Sequence, residues 1–71
     1  MEKLKIGKIP DILEKDIEIL INAVNSGEKY IDCELSELRA DINQCESNGL
    51  ISSHVAKVLR KYYIFGGYLN G

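Results

Sequence analysis

The sequence predicts an all-α fold, a compact three-helix bundle with a short extended N-terminal arm. In three separate segments, apolar residues recur at alternating spacings of three and four, which places them on one side of a helix. The chain contains only one Pro, so few turns are available for many short strands. With 71 residues we expect a single helical domain, residues 1–71, with helices at about 10–26, 32–48 and 53–65.

The first nine residues alternate apolar and basic side chains. The apolar set is Leu4, Ile6 and Ile9, and the basic set is Lys3, Lys5 and Lys8. A period of two is typical of a strand, but Gly7 interrupts it and the sequence offers no second strand to pair with it. We therefore expect an extended arm.

The first helix is expected to begin at Pro10, whose fixed φ suits the first helical position. Asp11 and Glu14 then lie in the opening turn, where the helix dipole favours carboxylates. Gly27 is placed to end the helix in a left-handed conformation. The predicted core stripe is Leu13, Ile17, Leu20 and Val24, widened by Ile12, Ile19 and Ala23.

The second helix is expected to start with Asp32 as its N-cap and to end before Gly49. We expect Leu50 to fold back onto the last turn. The predicted core stripe is Ile31, Leu35, Leu38, Ile42 and Cys45, and the residues predicted to face water are Glu34, Glu37, Arg39, Asp41 and Glu46.

The third helix is expected to be capped by Ser52 or Ser53 and to stop at Gly66. Its predicted core side is Val55, Val58, Leu59, Tyr62 and Phe65, and its basic side is His54, Lys57, Arg60 and Lys61. Tyr68 and Leu69 are then expected to dock on the bundle.

The chain offers little catalytic or metal-binding chemistry. Cys33 and Cys45 would lie about 18 Å apart on one helix, so we expect free thiols. His54 lacks the neighbouring ligands that a zinc site needs. Cys33 and His54 are the only Cys–His pair, and no third group orients them. We expect no metal, no cofactor and no enzymatic activity.

Charge is divided unevenly along the chain. All eleven acidic residues lie before Ser47 together with six of the nine Lys and Arg residues, whereas only three basic residues follow. Such asymmetry indicates either a basic recognition surface or a basic helix packed beside acidic ones. No apolar run approaches the ~18 residues that a membrane span requires, so we expect a cytoplasmic protein without membrane contact.

The last predicted helix has more aromatic side chains than one helix face can bury. Exposed aromatic residues beside Arg are typical of protein interfaces. We therefore expect a non-catalytic protein–protein interaction or accessory module, with an unknown protein partner or as a homodimer. The candidate contact residues are Arg60, Lys61, Tyr63, Ile64 and Tyr68.

The alternative is a helix-turn-helix-like DNA-binding regulator that uses helix 53–65. Gly49 would lie in the turn, but Gln44 and Asn48 occupy positions that should be apolar, and the other two helices are acidic. The candidate nucleic-acid contacts are Ser53, His54, Lys57, Arg60 and Lys61.

Three segments, IPDILEKDIEILINA, KYIDCELSELRADIN and GLISSHVAKVLRKYY, carry a resemblance. In the order of these segments, in the Asp32-Cys33 dipeptide and in the LRKYY ending, the chain resembles short, function-unassigned proteins of conjugative elements and phages of low-GC Gram-positive bacteria. The resemblance implies an accessory role and transfers no site residues.

Overall fold

The computed structural model describes residues 1–70 and confirms an all-α three-helix bundle. The helices are α1 (Asp11–Asn25), α2 (Asp32–Ser47) and α3 (Ser53–Leu59), and α3 continues directly into a π-helical turn (Arg60–Ile64). A short 3-10 turn, Gly67–Asn70, follows. Within residues 1–70 there is no β-strand. No helix of the described residues combines the length and apolar character that crossing a membrane requires.

The helix starts differ from the sequence prediction by one residue in two places. Pro10 is the N-cap of α1 and not its first helical residue, and its carbonyl accepts hydrogen bonds from the Leu13 and Glu14 N–H groups. Asp32 is the first residue of α2, with Ile31 in the N-cap position and no side-chain cap. Asp32 therefore contributes to α2 only as a carboxylate in the first turn, where the helix dipole favours it.

The helix ends follow the prediction. Gly27 and Gly49 have φ values of 76° and 72°, a left-handed conformation that glycine adopts without steric cost. In each case the next residue's N–H closes back onto the helix, as from Leu50 to the Cys45 carbonyl at 2.9 Å. The third helix is capped by Ser52, whose Oγ accepts from the Val55 N–H at 3.1 Å.

Helix α2 lies at the centre of the bundle and packs against both α1 and α3. One hydrophobic core forms between the three helices and the arm. Its buried residues are Ile9, Leu13, Ile17, Leu20, Leu38, Ile42, Cys45, Ala56, Leu59 and Tyr63. Ile12 and Ile19, expected to widen the α1 stripe, are about half exposed, and Leu50 is 60% exposed and does not cover the end of α2.

The predicted core side of α3 is rotated from the observed one. Ala56, Leu59 and Tyr63 are buried, whereas Phe65 is 72% exposed. Ala56 has a small side chain that adds little to the hydrophobicity of a helix face, yet it is fully buried in the core. The π-helical turn also alters the register, because the Phe65 N–H bonds five residues back to the Arg60 carbonyl at 2.9 Å.

The N-terminal arm, residues 1–9, has no regular secondary structure and lies between α1 and α3. On the α1 side, Lys3 Nζ is 2.6 Å from Glu14 Oε2. On the α3 side, the Leu4 N–H donates to Tyr63 Oη at 2.9 Å. The arm therefore covers a part of the core that the three helices leave open.

Candidate functional site

The structure exposes most of the predicted nucleic-acid set along α3. Ser53, His54, Lys57 and Lys61 are all exposed. They come from the first turn of α3 through the π-helical turn, and no acidic residue lies between them in sequence. Among them, Lys57 and Lys61 supply the positive charge of this surface.

Arg60 does not belong to that free positive surface, because it is bound to α2. Its Nη2 lies 2.6 Å from Asn43 Oδ1 and 2.5 Å from Glu46 Oε1, and its Nε lies 3.2 Å from the same Asn43 oxygen. The guanidinium hydrogen bond holds the pKa of the Glu46 carboxyl below its ordinary value, and Ser53 adds to this effect. Arg60 thus joins α3 to α2 and has less capacity for an external partner.

Tyr63 was expected at a partner surface, and this expectation is wrong. Only 1% of Tyr63 is exposed, and it is among the largest fully buried side chains. A buried phenol needs a hydrogen-bond partner, which the Leu4 N–H supplies at 2.9 Å. Burial also raises the pKa of the Tyr63 hydroxyl. Tyr63 is therefore a core residue that holds the arm.

Two further tyrosines pack around Tyr63. The Tyr62 ring lies edge-on to the Tyr63 ring at 4.8 Å between centroids and to the Tyr68 ring at 6.1 Å. The Tyr62 hydroxyl donates to the Glu2 carbonyl at 2.9 Å. Ile64 and Tyr68 are partly buried, so only part of each side chain is accessible to a partner.

The largest apolar exposure on this side of the molecule is at residues that the sequence prediction placed against the bundle. Phe65 and Leu69 are 72% and 76% exposed. We name Lys61, Ile64, Phe65, Tyr68 and Leu69 the C-terminal apolar surface. The 3-10 turn holds it together, because the Leu69 N–H donates to the Gly66 carbonyl at 2.9 Å.

A small apolar depression of 210 Å³ adjoins this surface. Leu4, Val58, Tyr62 and Gly67 line it, and Lys61 lies at its rim. Gly67 is required here, since a Cβ at this position would lie 2.7 Å from the Lys61 carbonyl oxygen. The depression is thus formed by close packing of the chain after Gly66 against the π-helical turn.

A second, larger groove of 370 Å³ runs beside the arm. Its floor includes Ile17 of α1 and Leu59 of α3, both core residues. Lys3, Lys5 and Glu14 are among the polar residues that line it. Lys3 and Lys5 of the arm therefore border this groove.

An acidic pair joins α1 to α2. Desolvation, followed by a hydrogen bond with Asp41 and the charges of Asp41 and Glu37, raises the pKa of Asp16 to about 7, against a small opposing effect of Lys15. Asp16 Oδ2 is buried and has no donor within the described residues. A proton shared by the two carboxyls would supply that hydrogen bond. No sequence pattern indicates this pair, since the two residues are 25 positions apart.

The two cysteines have separate environments. Cys33 is exposed, and Cys45 is buried. Burial, with the charges of Asp41 and Asp16, raises the pKa of the Cys45 thiol, so little reactive thiolate forms there. Cys33 lies in the first turn of α2, whereas His54 follows the other end of that 16-residue helix, about 24 Å long. The fold therefore keeps the two residues of the candidate Cys–His pair apart.

Within residues 1–70, no three His, Cys, Asp or Glu side chains are grouped so that they could hold a metal ion. Comparison of the chain with protein-family models, curated proteins and solved structures finds no match.

Proposed function

We propose that this chain is a non-catalytic protein-interaction module of the cytoplasm that binds a protein partner, or a second copy of itself, through the C-terminal apolar surface. The observation that carries the proposal is the exposure of Phe65 and Leu69, at 72% and 76%, in a chain with a small core. Burying these side chains would remove apolar area from water, which is the main favourable term in protein association.

Contacts within this surface support it as a binding site. A hydrogen bond to the Gly66 carbonyl holds the Leu69 backbone, and the Tyr68 ring packs edge-on against Tyr62. A side chain that is already ordered loses less entropy on binding than a mobile one. Aromatic anchors surrounded by polar residues are typical of interface centres, and Lys61 supplies charge at the edge.

Phe65→Ser combined with Leu69→Ser tests this proposal. We expect the unmodified chain to show concentration-dependent self-association in sedimentation velocity, or to retain a protein partner in affinity purification, and the double variant to lose that association. Leu50→Ser is the matched control, because Leu50 is 60% exposed and precedes the opposite end of α3. The proposal is contradicted if Leu50→Ser weakens association as much as the double variant does. It is also contradicted if neither change affects association.

A second candidate function, binding of duplex DNA, rests on a different observation. Ser53, His54, Lys57 and Lys61 are exposed along α3 after the Gly49 turn, although Arg60 is held by Glu46 and Asn43. Phosphate contacts release counterions, so such binding should weaken as salt rises.

Titration of a fluorescent DNA duplex at low and moderate salt distinguishes this candidate from a protein-binding role. If DNA binds α3, Lys57→Gln with Lys61→Gln should reduce both the affinity and its salt dependence. Lys29→Gln is the control, since Lys29 lies in the loop between α1 and α2. Absence of binding at low salt, or equal loss with the control, would remove the DNA candidate.

A further inference from the structure

We propose that residues 3–6 of the arm form a strand that lacks a partner within residues 1–70, and that they pair with an extended acidic segment of another protein. The segment would occupy the groove between the arm and α1. This inference does not depend on the C-terminal apolar surface, because the groove uses different residues.

The hydrogen bonds of the arm engage some of its backbone groups and leave others unbound. The Glu2 carbonyl and the Leu4 N–H, two residues apart, are both bound by tyrosine hydroxyls of the π-helical turn. In an extended chain, backbone groups two residues apart point toward the same edge. The backbone groups of Lys3 and Lys5 would then point toward the opposite edge, and no hydrogen bond engages them in the described part of the chain.

The side chains of the arm also follow a strand pattern. Lys3 and Lys5 are exposed, whereas Leu4 and Ile6 are partly buried against the core. Alternating exposure is expected when successive side chains of an extended chain point to opposite faces. The period of two in the sequence therefore corresponds to a strand-like segment that lacks only a neighbouring strand.

The groove borders the arm at Lys3 and Lys5, the residues whose backbone groups form no hydrogen bond within residues 1–70. It has a volume of 370 Å³, and its floor includes Ile17 and Leu59. Addition of an extended peptide to an open edge is a common recognition mode, in which main-chain bonds give affinity and alternate side chains fill pockets. Apolar side chains of the added segment would contact Leu4 and Ile6, which line the groove and are only partly buried.

The charge of the groove favours an acidic segment. Lys5 forms no ion pair or side-chain hydrogen bond within residues 1–70, and Lys3 is paired with Glu14 across the groove. That ion pair has side chains 53% and 40% exposed, so it contributes little to stability and can open. A carboxylate of the incoming segment could replace Glu14 as the partner of Lys3 while a second one binds Lys5.

The test is a titration of the isotopically labelled chain with an acetylated, amidated octapeptide of alternating Glu and Val. An octapeptide of alternating Gln and Val is the neutral control. We expect chemical-shift changes at the arm amides and at the Leu4 and Ile6 methyl groups. Hydrogen exchange of the Lys3 or Lys5 amide should slow at least about tenfold as strand pairing protects these groups.

Four variants separate the roles of charge and backbone. Lys5→Glu should weaken binding of the acidic peptide about fivefold or more, and Lys29→Glu, the same charge change outside the groove, should leave it unchanged. Lys5→Pro should weaken binding more than Lys5→Ala, because only Pro also removes the N–H. Lys5 and Lys29 are both exposed, so thermal unfolding should confirm that each of the four variants folds.

Glu14→Gln tests whether Lys3 can exchange its ion-pair partner, and it should change the affinity for the acidic peptide in the opposite direction to Lys5→Glu. Because this change frees Lys3, we expect it to strengthen binding of the acidic peptide about twofold to fivefold. A gain in affinity could not arise from damage to the fold.

Three results would overturn the proposal. The neutral peptide could bind as tightly as the acidic one, or the hydrogen exchange of the Lys3 and Lys5 amides could stay unchanged on binding. The third is that a DNA duplex produces the same chemical-shift changes in the arm. Phe65→Ser should leave peptide binding intact, so failure at the groove is distinct from failure of the C-terminal apolar surface.

Discussion

At the scale of single residues, apolar character alone does not identify the aromatic side chain that is buried after α3. Tyr63 and Phe65 are both large, and on apolar character alone Phe65 is the better core residue. Tyr63 is nevertheless the buried one, at 1% exposure, and the arm supplies the hydrogen-bond donor that its buried hydroxyl needs. Phe65 remains exposed after the π-helical turn. Sequence periodicity could not find this, since the donor, Leu4, lies 59 residues away.

The Asp16–Asp41 pair has a consequence for stability. Its environment raises the pKa of Asp16 to about 7, from an ordinary value of 3.8. Between these two values the folded chain binds more protons than the unfolded chain, so the free energy of unfolding falls as pH rises. Glu37 raises the same pKa and Lys15 lowers it, and the buried Cys45 lies close enough to be affected by both aspartates. The pair therefore destabilises the fold above neutral pH.

Asp16→Asn should remove most of this pH dependence. At pH 8 we expect it to raise the free energy of unfolding by an amount on the order of 1–2 kcal/mol, because the amide carries no charge to repel Asp41. At pH 4 the change should be small. Urea unfolding at both pH values measures the difference.

Glu18→Gln is the control for this experiment, as Glu18 is exposed on the same helix. Asp41→Asn should give a smaller gain, because desolvation of Asp16, the largest cause of its raised pKa, remains. The two changes together should give less than the sum, since either one removes the repulsion. Parallel pH profiles for the unmodified chain and Asp16→Asn would contradict the assignment.

At the scale of elements, the helices and their ends could be predicted because the causes are local. Gly27 and Gly49 end helices through their own backbone freedom, and Ser52 caps α3 through a residue three positions on. The first two helix stripes also agree, with Leu13, Ile17 and Leu20 buried on α1. Local chemistry within about one turn was sufficient for these features.

The orientation of α3 could not be predicted in the same way. Its core side is set by Ala56 and Tyr63, one of which is small and the other polar. An apolar pattern assigns low weight to both residues, so the predicted stripe was shifted toward Val58 and Phe65. The observed stripe depends on what α2 and the arm present to the helix, which is a tertiary property.

At the scale of the whole molecule, the arm is part of the fold. Three short helices leave one side of the core open, and Ile9 with the partly buried Leu4 and Ile6 covers it. The arm has no helical or strand bonds of its own, so its position depends on a few contacts with α1 and α3. We expect it to open at lower free energy than the helices do.

Tyr63→Phe should loosen the arm. The change leaves the Leu4 N–H without its partner, and we expect a loss of about 1 kcal/mol in the free energy of unfolding. Hydrogen exchange of the Leu4 amide should accelerate while the α2 amides change less. Urea unfolding and amide exchange measured by NMR check the two expectations.

Tyr62→Phe is the matched comparison. Its hydroxyl bonds the carbonyl of Glu2, an exposed residue, where water can replace it. We expect a smaller loss than for Tyr63→Phe. Equal losses in the two variants would show that burial of the Tyr63 hydrogen bond is not what holds the arm.

The candidate surfaces were only partly predictable for the same physical reason. Lys57 and Lys61 are exposed as the pattern of α3 predicted. The sequence could not show that Arg60 is held by Glu46 and Asn43. It also could not show that Lys3 and Lys5 border a groove whose lining includes core residues. Each of these features joins residues far apart in the chain.

The sequence by itself determined the fold class, the three helices and their ends, because turn residues, caps and apolar spacing act over a few positions. Only the tertiary structure decided that Tyr63 is core and Phe65 surface, that Arg60 is bound within the molecule, and that two tyrosine hydroxyls hold the backbone of the arm. Burial and hydrogen-bond partners depend on contacts across the whole chain, which local patterns do not contain.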